Sequence, residues 1–359
     1  MQPIVLGIYS KFYLPLSTSL RPCTKAFILA LLPGVDEETS EFFDKVSSLL
    51  DSISTVVAPS FFFQHLWLIL ITSPSSRVAA LNYLSKRLPI VGTEDDLTRI
   101  VGQDVGLMVR AFASAVDDGR VLVQRGILDL LLNVIRLDGS GWKNQVREQD
   151  QKLLMKSLLG VVLKRDLSLS RRLHHWLLGS TDAASEKQVE YLKEFGLDVV
   201  CEAMREEMRQ GEQRPFRILL ALLDKWEIGF PVTEALVLDA FRCLKDNMHG
   251  EGKEELRMTA GVLWEGLDPY LTWKMLFGSV KQEMESESHD AEVRIELIRP
   301  ALVDSVFVTG VQKIDLVIFV LKTFKLHDEE ILRIHLPVFA YALLELLEVS
   351  LRALAIVVY

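Results

Sequence analysis

PSFFFQHLWLILITSPSSRVAALNYLSKRLP, residues 59–89, places two unlike helices on either side of a proline-serine break. In the first, the run from Phe61 to Ile71 is apolar except at Gln64 and His65, the pattern of a helix enclosed by neighbours. After Thr72-Ser73-Pro74-Ser75 the second helix spaces Val78, Leu81, Tyr83, Leu84 and Leu88 among Arg77, Asn82, Lys86 and Arg87, so one of its faces is wet. A buried helix, a tight turn and an amphipathic helix together make the unit of a helical repeat.

The same texture extends in both directions. Phe42, Phe43, Val46, Leu49, Leu50 and Ile53 recur at helical steps, and Asp36, Glu37 and Glu38 are placed to open that helix, where carboxylates meet free backbone N–H groups. Ser185 with Gln188 reads as a capping box before Val189 and Leu192, and Asp268-Pro269 as an N-cap followed by proline. Turn signals at Leu32-Pro33-Gly34, Ser73-Pro74, Leu88-Pro89, Gly179-Ser180, Gly211-Glu212, Gly229-Phe230-Pro231 and Gly250-Glu251-Gly252 cut the chain into helices. A helix pair then takes about 35 to 45 residues, within the range of HEAT and armadillo units. No tetratricopeptide or ankyrin consensus is legible, and strand-type alternation is scarce. The fold expected is all-α, an irregular HEAT/armadillo-like helical-repeat solenoid. It is read as a single array across residues 1–359, with a soft break near 138–151, where DGSGWKNQVREQDQ is polar.

Composition supports this. A mean hydropathy of +0.22 and 49% hydrophobic residues supply a core, while 25% charged residues argue against a membrane-embedded chain. The longest apolar run, Val56 to Ile71, is shorter than the ~20 residues a spanning helix needs and is read as a buried core helix. The first residues lack the basic segment and cleavage site of a secretory signal, and no Asn-x-Ser/Thr sequon occurs. Cys23, Cys201 and Cys243 are read as small buried hydrophobes in a reducing compartment. A net charge of −9 disfavours a nucleic-acid surface. The acid-rich run from Glu283 to Glu296 reads as a solvated loop running into a helix start. Apolar patterning at both ends, Val5–Tyr9 and LRALAIVVY, suggests a piece of a longer array or a shortened gene product.

Catalytic signatures are absent from the sequence: no G-x-G-x-x-G, Walker lysine loop, G-x-S-x-G elbow or H-E-x-x-H helix occurs. His174 and His175, adjacent on a helix, point about 100° apart and cannot clasp one metal from one face. Asp328, Glu329 and Glu330, between His327 and His335, suit a helix start better than a metal site. Asp95-Asp96 and Asp117-Asp118 read as solvated acids at turns. The expectation is therefore no catalytic residue, no cofactor, no metal and no small-molecule substrate.

One basic stretch stands apart. In LKRDLSLSRRLHH, Lys164, Arg165, Arg171 and Arg172 crowd a helix junction with only Asp166 opposing them, a candidate patch for phosphate, lipid headgroups or a protein partner. The bland alternative gives Lys164 and Arg165 to a helix C-terminus and leaves Arg171 and Arg172 on a wet face.

Four blocks in order carry a resemblance. FYLPLSTSLRPCTKAFILALLPGVDEETSEFFDKVSSLLD at 12–51, SFFFQHLWLILITSPSSRVAALNYLSKRLP at 60–89, VQRGILDLLL at 123–132 and LKRDLSLSRRLHHWLLG at 163–179 resemble the amino-terminal region of the Dopey family. The likeness is strongest over 12–179, and beyond about residue 190 only the helical texture is shared. This resemblance implies a very large cytosolic scaffold of helical repeats, peripheral on Golgi (trans-Golgi network) and endosome membranes. It implies protein transport between them beside an Arf-exchange-factor-like scaffold and a phospholipid flippase, without catalysis. Dopey proteins begin before the FYLPL block and continue far past residue 359. Two other readings remain: an unrelated HEAT-like adaptor or transport receptor, and an all-helical enzyme with a site assembled from His174, His327 and Glu330.

Overall fold

The computed structural model describes residues 3–36, 41–180, 182–247, 253–276 and 315–324, with a few isolated positions besides. Among these residues every regular element is helical. The chain divides into two compact units, residues 1–204 and 205–359.

In the first unit the helices are α1 (Pro3–Ile8), α2 (Thr24–Leu31), α3 (Phe43–Val57), α4 (Pro59–Thr72), α5 (Arg77–Arg87), α6 (Leu97–Val101), α7 (Val105–Val116), α8 (Val121–Val134), α9 (Glu148–Leu159), α10 (Leu167–Leu178) and α11 (Ser185–Phe195). Two rows of helices run side by side. α2 packs on α4, α4 on α7 and α7 on α9, while α5 packs on α8 and α8 on α10. Tight turns join α4 to α5 and α7 to α8, and the two helices of each pair touch. This stacking of neighbouring pairs buries a continuous core, the defining economy of a helical-repeat array.

The row helices are buried as their sequences demand. Phe62, Leu66, Trp67, Ile69 and Leu70 of α4 are shielded from water, and so are Met108, Val109, Phe112 and Ala115 of α7. Trp67 stands edge-on to Phe112 at 5.8 Å, and its indole N–H donates to the Val101 carbonyl at 3.0 Å. Trp176 of α10 does the same to Ile135 at 2.5 Å and meets Trp142 edge-on. Each tryptophan thus fills a core with its ring while its indole N–H meets a carbonyl at the C-terminal end of another helix. Gly102, at φ 105°, lies against the Gln64 side chain with no room for a Cβ.

Several expectations are revised. The apolar run Val56–Ile71 is not one helix: the chain turns by 120° at Ala58, and neither α3 nor α4 alone is long and apolar enough to cross a membrane. The helix expected to open at Asp36 starts at Phe43, with Asp44 in its first turn; Leu32–Val35 form a separate 3-10 turn capped at Asp36, and Glu37 and Glu38 lie outside the described residues. The Ser185 capping box does not form. Ala184 is the cap, and the Gln188 amide instead donates to the carbonyls of Ser180 and Ala183. Cys201 is buried, but Cys23 is exposed. Residues 138–151 lie inside the first unit, where Trp142 is buried and α9 begins at Glu148.

The second unit contains α13 (Arg214–Leu222), α14 (Trp226–Asn247) and α15 (Glu254–Gly266); the division between units falls within α12 (Leu197–Arg209). α13 packs against both α14 and α15. The Gly229-Phe230-Pro231 turn signal is absorbed into α14 because Gly229 lies directly on the Leu222 carbonyl, an approach that only a residue without Cβ permits. Trp264 stacks on Phe324 at 4.7 Å with Phe241 beside both. Asp268 caps the following turn, accepting from Tyr270 N at 2.8 Å.

Candidate functional site

Two stretches singled out by sequence specificity, the turn at 72–77 and the junction at 163–172, prove chemically opposite. At the first, Ser73 and the Pro74–Ser76 3-10 turn reverse the chain and deliver Arg77 into the interior, 7% exposed, rather than onto the wet face of α5. Its Nε donates to the Leu70 carbonyl, one Nη to Asp118 and the other to Ser114, each at 2.7 Å. Asp118, read from sequence as a solvated acid, is buried. It also accepts from the backbone N–H and guanidinium of Arg120, whose far Nη reaches the Pro74 carbonyl. Hydrogen bonds from Arg120 first, then Arg77, hold the Asp118 carboxyl well below the usual carboxylate range. Each nitrogen of the buried guanidinium thus donates to an acceptor on its own or the next helix pair. The cluster is a clamp between repeats.

The other paired acids at turns also have structural tasks. Asp117 accepts from Ser157 on α9, and Asp96 caps α6 through Thr98 N at 3.0 Å while binding Gln145. Asp95 accepts from the Gly92 N–H.

At the second stretch, Gly160–Lys164 form a 3-10 turn and Arg165 takes a left-handed conformation at φ 56° before α10 starts. Asp166 is the N-cap of α10, accepting from Ser168 N and Leu169 N, and it pairs with Arg125 of α8 at 3.2 Å. Its hydrogen bonds thus go to the helix start and to Arg125, while among the four cations its charge acts on Arg172. Arg172 leaves the group: its guanidinium grips Asp129 of α8 at 2.5 and 3.1 Å and donates to Ser168. Lys164, Arg165 and Arg171 stay exposed.

Between them in the sequence lies an exposed aliphatic residue that sequence reading passed over. Leu167, the first residue of α10, is 77% exposed between Arg165 and Arg171, and Leu122, in the first turn of α8, is 66% exposed. The Arg125–Asp166 pair places the starts of α8 and α10 next to each other. The result is an edge where two aliphatic side chains and three cations meet water. The missed signal was leucine in a first turn, off the buried stripe of its helix.

The histidine readings do not converge. His174 is half-exposed and His175 exposed on α10, and no group of three metal-capable side chains occurs among the described residues. His327, His335, Asp328 and Glu330 lie outside the described residues, as does the acidic run 283–296. His65, half-buried on α4 and edge-on to Phe61, has its pKa lowered by burial and then by Lys25.

Comparison with known proteins covers almost the whole chain. Residues 1–182 match the family model described as Dopey, N-terminal, and residues 191–355 match that of the DOP1 middle TPR domain. The likeness therefore runs well past residue 190, and its second half carries a tetratricopeptide-type description although no such consensus is legible in the sequence. Protein dop1 of Emericella nidulans is 28% identical over 98% of this chain and 22% of its own length. Protein DOP1B of Mus musculus is 33% identical over 72% of the chain and 12% of its own, and Protein DOP1 of Saccharomyces cerevisiae 24% identical over 95% and 22%. The chain thus spans about a fifth or less of these curated relatives. No solved structure is significantly similar. With two family models following one another in order along one helical chain, and relatives aligned through both, the chain belongs to the Dopey family.

Proposed function

We propose that this chain is part of a non-enzymatic scaffold in vesicle-mediated protein transport between Golgi and endosomes, working peripherally on their membranes. Family membership along nearly the full chain is the observation that carries this reading. Two structural features support it. The polar residues packed inside the first unit, Arg77, Asp118 and Gln124, are engaged with one another or with backbone, as architecture requires. The edge of Leu122, Leu167, Lys164, Arg165 and Arg171 has the composition of a peripheral membrane contact, cations for anionic headgroups around aliphatic side chains.

The partners in this reading are an Arf-exchange-factor-like scaffold and a phospholipid flippase. Proximity labelling with the full-length gene product tests address and neighbours together. Golgi and endosomal markers with those two partner classes are expected; a nuclear or diffuse pattern without them would refute the proposal.

A further inference from the structure

Ser168 stands in the first turn of α10, amid the cations of the exposed edge. Lys164 and Arg165 precede it by four and three residues, and Arg171 and Arg172 follow it by three and four. Helical residues at that spacing share a face, so both arginines lie one turn on from the serine, on its own side. One contact is already made. A terminal nitrogen of Arg172 donates to Ser168 Oγ at 2.6 Å and to the Ser168 carbonyl at 3.1 Å, while its Nε and other terminal nitrogen hold Asp129. The serine itself is half-buried, with Lys164, Arg165 and Arg171 exposed around it in the sequence.

This setting suits the hydroxyl to carry a phosphate. Phosphoserine adds about −1.5 to −2 charges and three strong acceptor oxygens, which gain most opposite arginines. Arg172 supplies a charged donor already directed at Oγ, so the phosphate strengthens a formed contact instead of recruiting a distant side chain. Kinases select substrates by charge pattern. An arginine three residues ahead of the acceptor, with aliphatic Leu163 two further back, is a pattern that kinases selective for basic substrates read. Ser170 has Leu167 in the place of that arginine. The backbone in front of Ser168 is already out of the helix: Arg165 is left-handed, Asp166 is extended, and the Ser168 N–H is held by the Asp166 side chain. Fraying of one turn therefore presents residues 163–168 as an extended strand.

We infer that Ser168 is a phosphorylation site and that its phosphate, gripped by Arg172, cancels the charge of the edge formed by Lys164, Arg165 and Arg171. The γ-phosphoryl group of ATP passes to Oγ. The Oγ–P bond forms, the bond to the β-phosphate oxygen breaks with its electron pair leaving on ADP, and the hydroxyl proton goes to the kinase's carboxylate base. Three exposed cations then share their edge with a phosphate of about −1.5 to −2. Attraction to an anionic bilayer collapses, as in an electrostatic switch. The effect on membranes rests on that edge being a membrane contact; the modification does not.

Two measurements test the two halves. Phosphopeptide mapping by mass spectrometry of the full-length gene product from its own cells should find phosphate on Ser168, lost in Ser168→Ala, reduced several-fold in Arg165→Ala and retained in Ser170→Ala. An unmodified Ser168 would overturn the site. In the 359-residue chain with phosphoserine installed at position 168, the second ionisation of the phosphate, followed by phosphorus NMR, should fall below its usual value of about 6, because the guanidinium favours the dianion. Arg172→Ala should move it back toward that value. The same chain should lose about tenfold or more of its binding to phosphatidylserine-containing liposomes at unchanged melting, and phosphatase treatment should return it. An unshifted ionisation, or full liposome binding with the phosphate in place, would overturn the switch. If the unphosphorylated chain itself does not bind liposomes, the membrane reading of the edge falls and the switch with it, whereas phosphate mapped to Ser168 with a lowered ionisation still establishes the site.

Discussion

The turn at 72–77 and the junction at 163–172 are both compact, charged and distinctive in sequence, yet one is sealed and the other open. Each nitrogen of the Arg77 guanidinium donates inside the stack, whereas Lys164, Arg165 and Arg171 are exposed to water, as is Leu167. The difference teaches that a specific sequence in a helical-repeat protein reports specific packing at least as often as recognition. What separates the two cases is whether the neighbouring helix pair supplies a partner. Asp118 of the next pair does so for Arg77; Asp129 does so for Arg172 alone among the cations of the junction.

The largest expected effect lies at the sealed site. Arg77→Met leaves Asp118 and the Leu70 carbonyl without the buried guanidinium, and losing one member of a buried pair costs about 3–5 kcal/mol, read in urea unfolding. Arg77→Met with Asp118→Leu should recover part of that loss, because an apolar pair of similar volume escapes the desolvation penalty. A double variant as unstable as the single one would show that Arg77 acts through Leu70 and Ser114 instead.

Acid sharpens the same contrast. With its pKa depressed in the folded state, Asp118 contributes stability that is complete above the ordinary carboxylate pKa of about 3.9 and is lost as pH falls through the folded value. Asp118→Asn should therefore flatten the acid limb of the stability curve below about pH 4 while lowering stability at neutral pH. His65 acts with the same sign over a higher window: its contribution is full above about pH 6.5 and declines as the pH drops. His65→Gln should remove that slope. Tyr191, pushed up to about 12 by burial and then by the charge of Asp138, is neutral across both windows and contributes no slope there.

Smaller effects belong to the open site. Arg172→Ala breaks an ion pair at the surface and should cost about 1 kcal/mol or less. Arg165→Gly should stabilise by about 0.5–1 kcal/mol, since the left-handed backbone at φ 56° suits glycine better than arginine. That substitution separates the backbone role of Arg165 from its charge.

Much of the architecture was legible in the sequence, and for a physical reason. Helical periodicity is local, so the enclosed α4 and the half-wet α5 could be read from residues 59–89 alone, and proline with serine marks the break between them. The clamp was not legible because an arginine just after a turn normally faces water, and Asp118 lies 41 residues away in the sequence. Its burial is a property of stacked pairs. The open patch was half legible: cations announce themselves, but the capture of Arg172 by Asp129 and the exposure of Leu122 and Leu167 follow from how α8 lies beside α10. The Ser185 capping box failed for a similar reason, since Gln188 found the carbonyls of Ser180 and Ala183 closer to hand.

The contrast is tested most directly by the membrane-bound fraction of the chain on phosphatidylserine-containing liposomes, compared between wild type and the variant Lys164→Glu, Arg165→Gly, Arg171→Glu at equal folded fraction. At about 1 kcal/mol per cation near an anionic surface, loss of three cations, two of them by charge reversal, predicts a drop of well over tenfold with melting no less stable than wild type. An unchanged bound fraction, or a loss seen only together with unfolding, would contradict it.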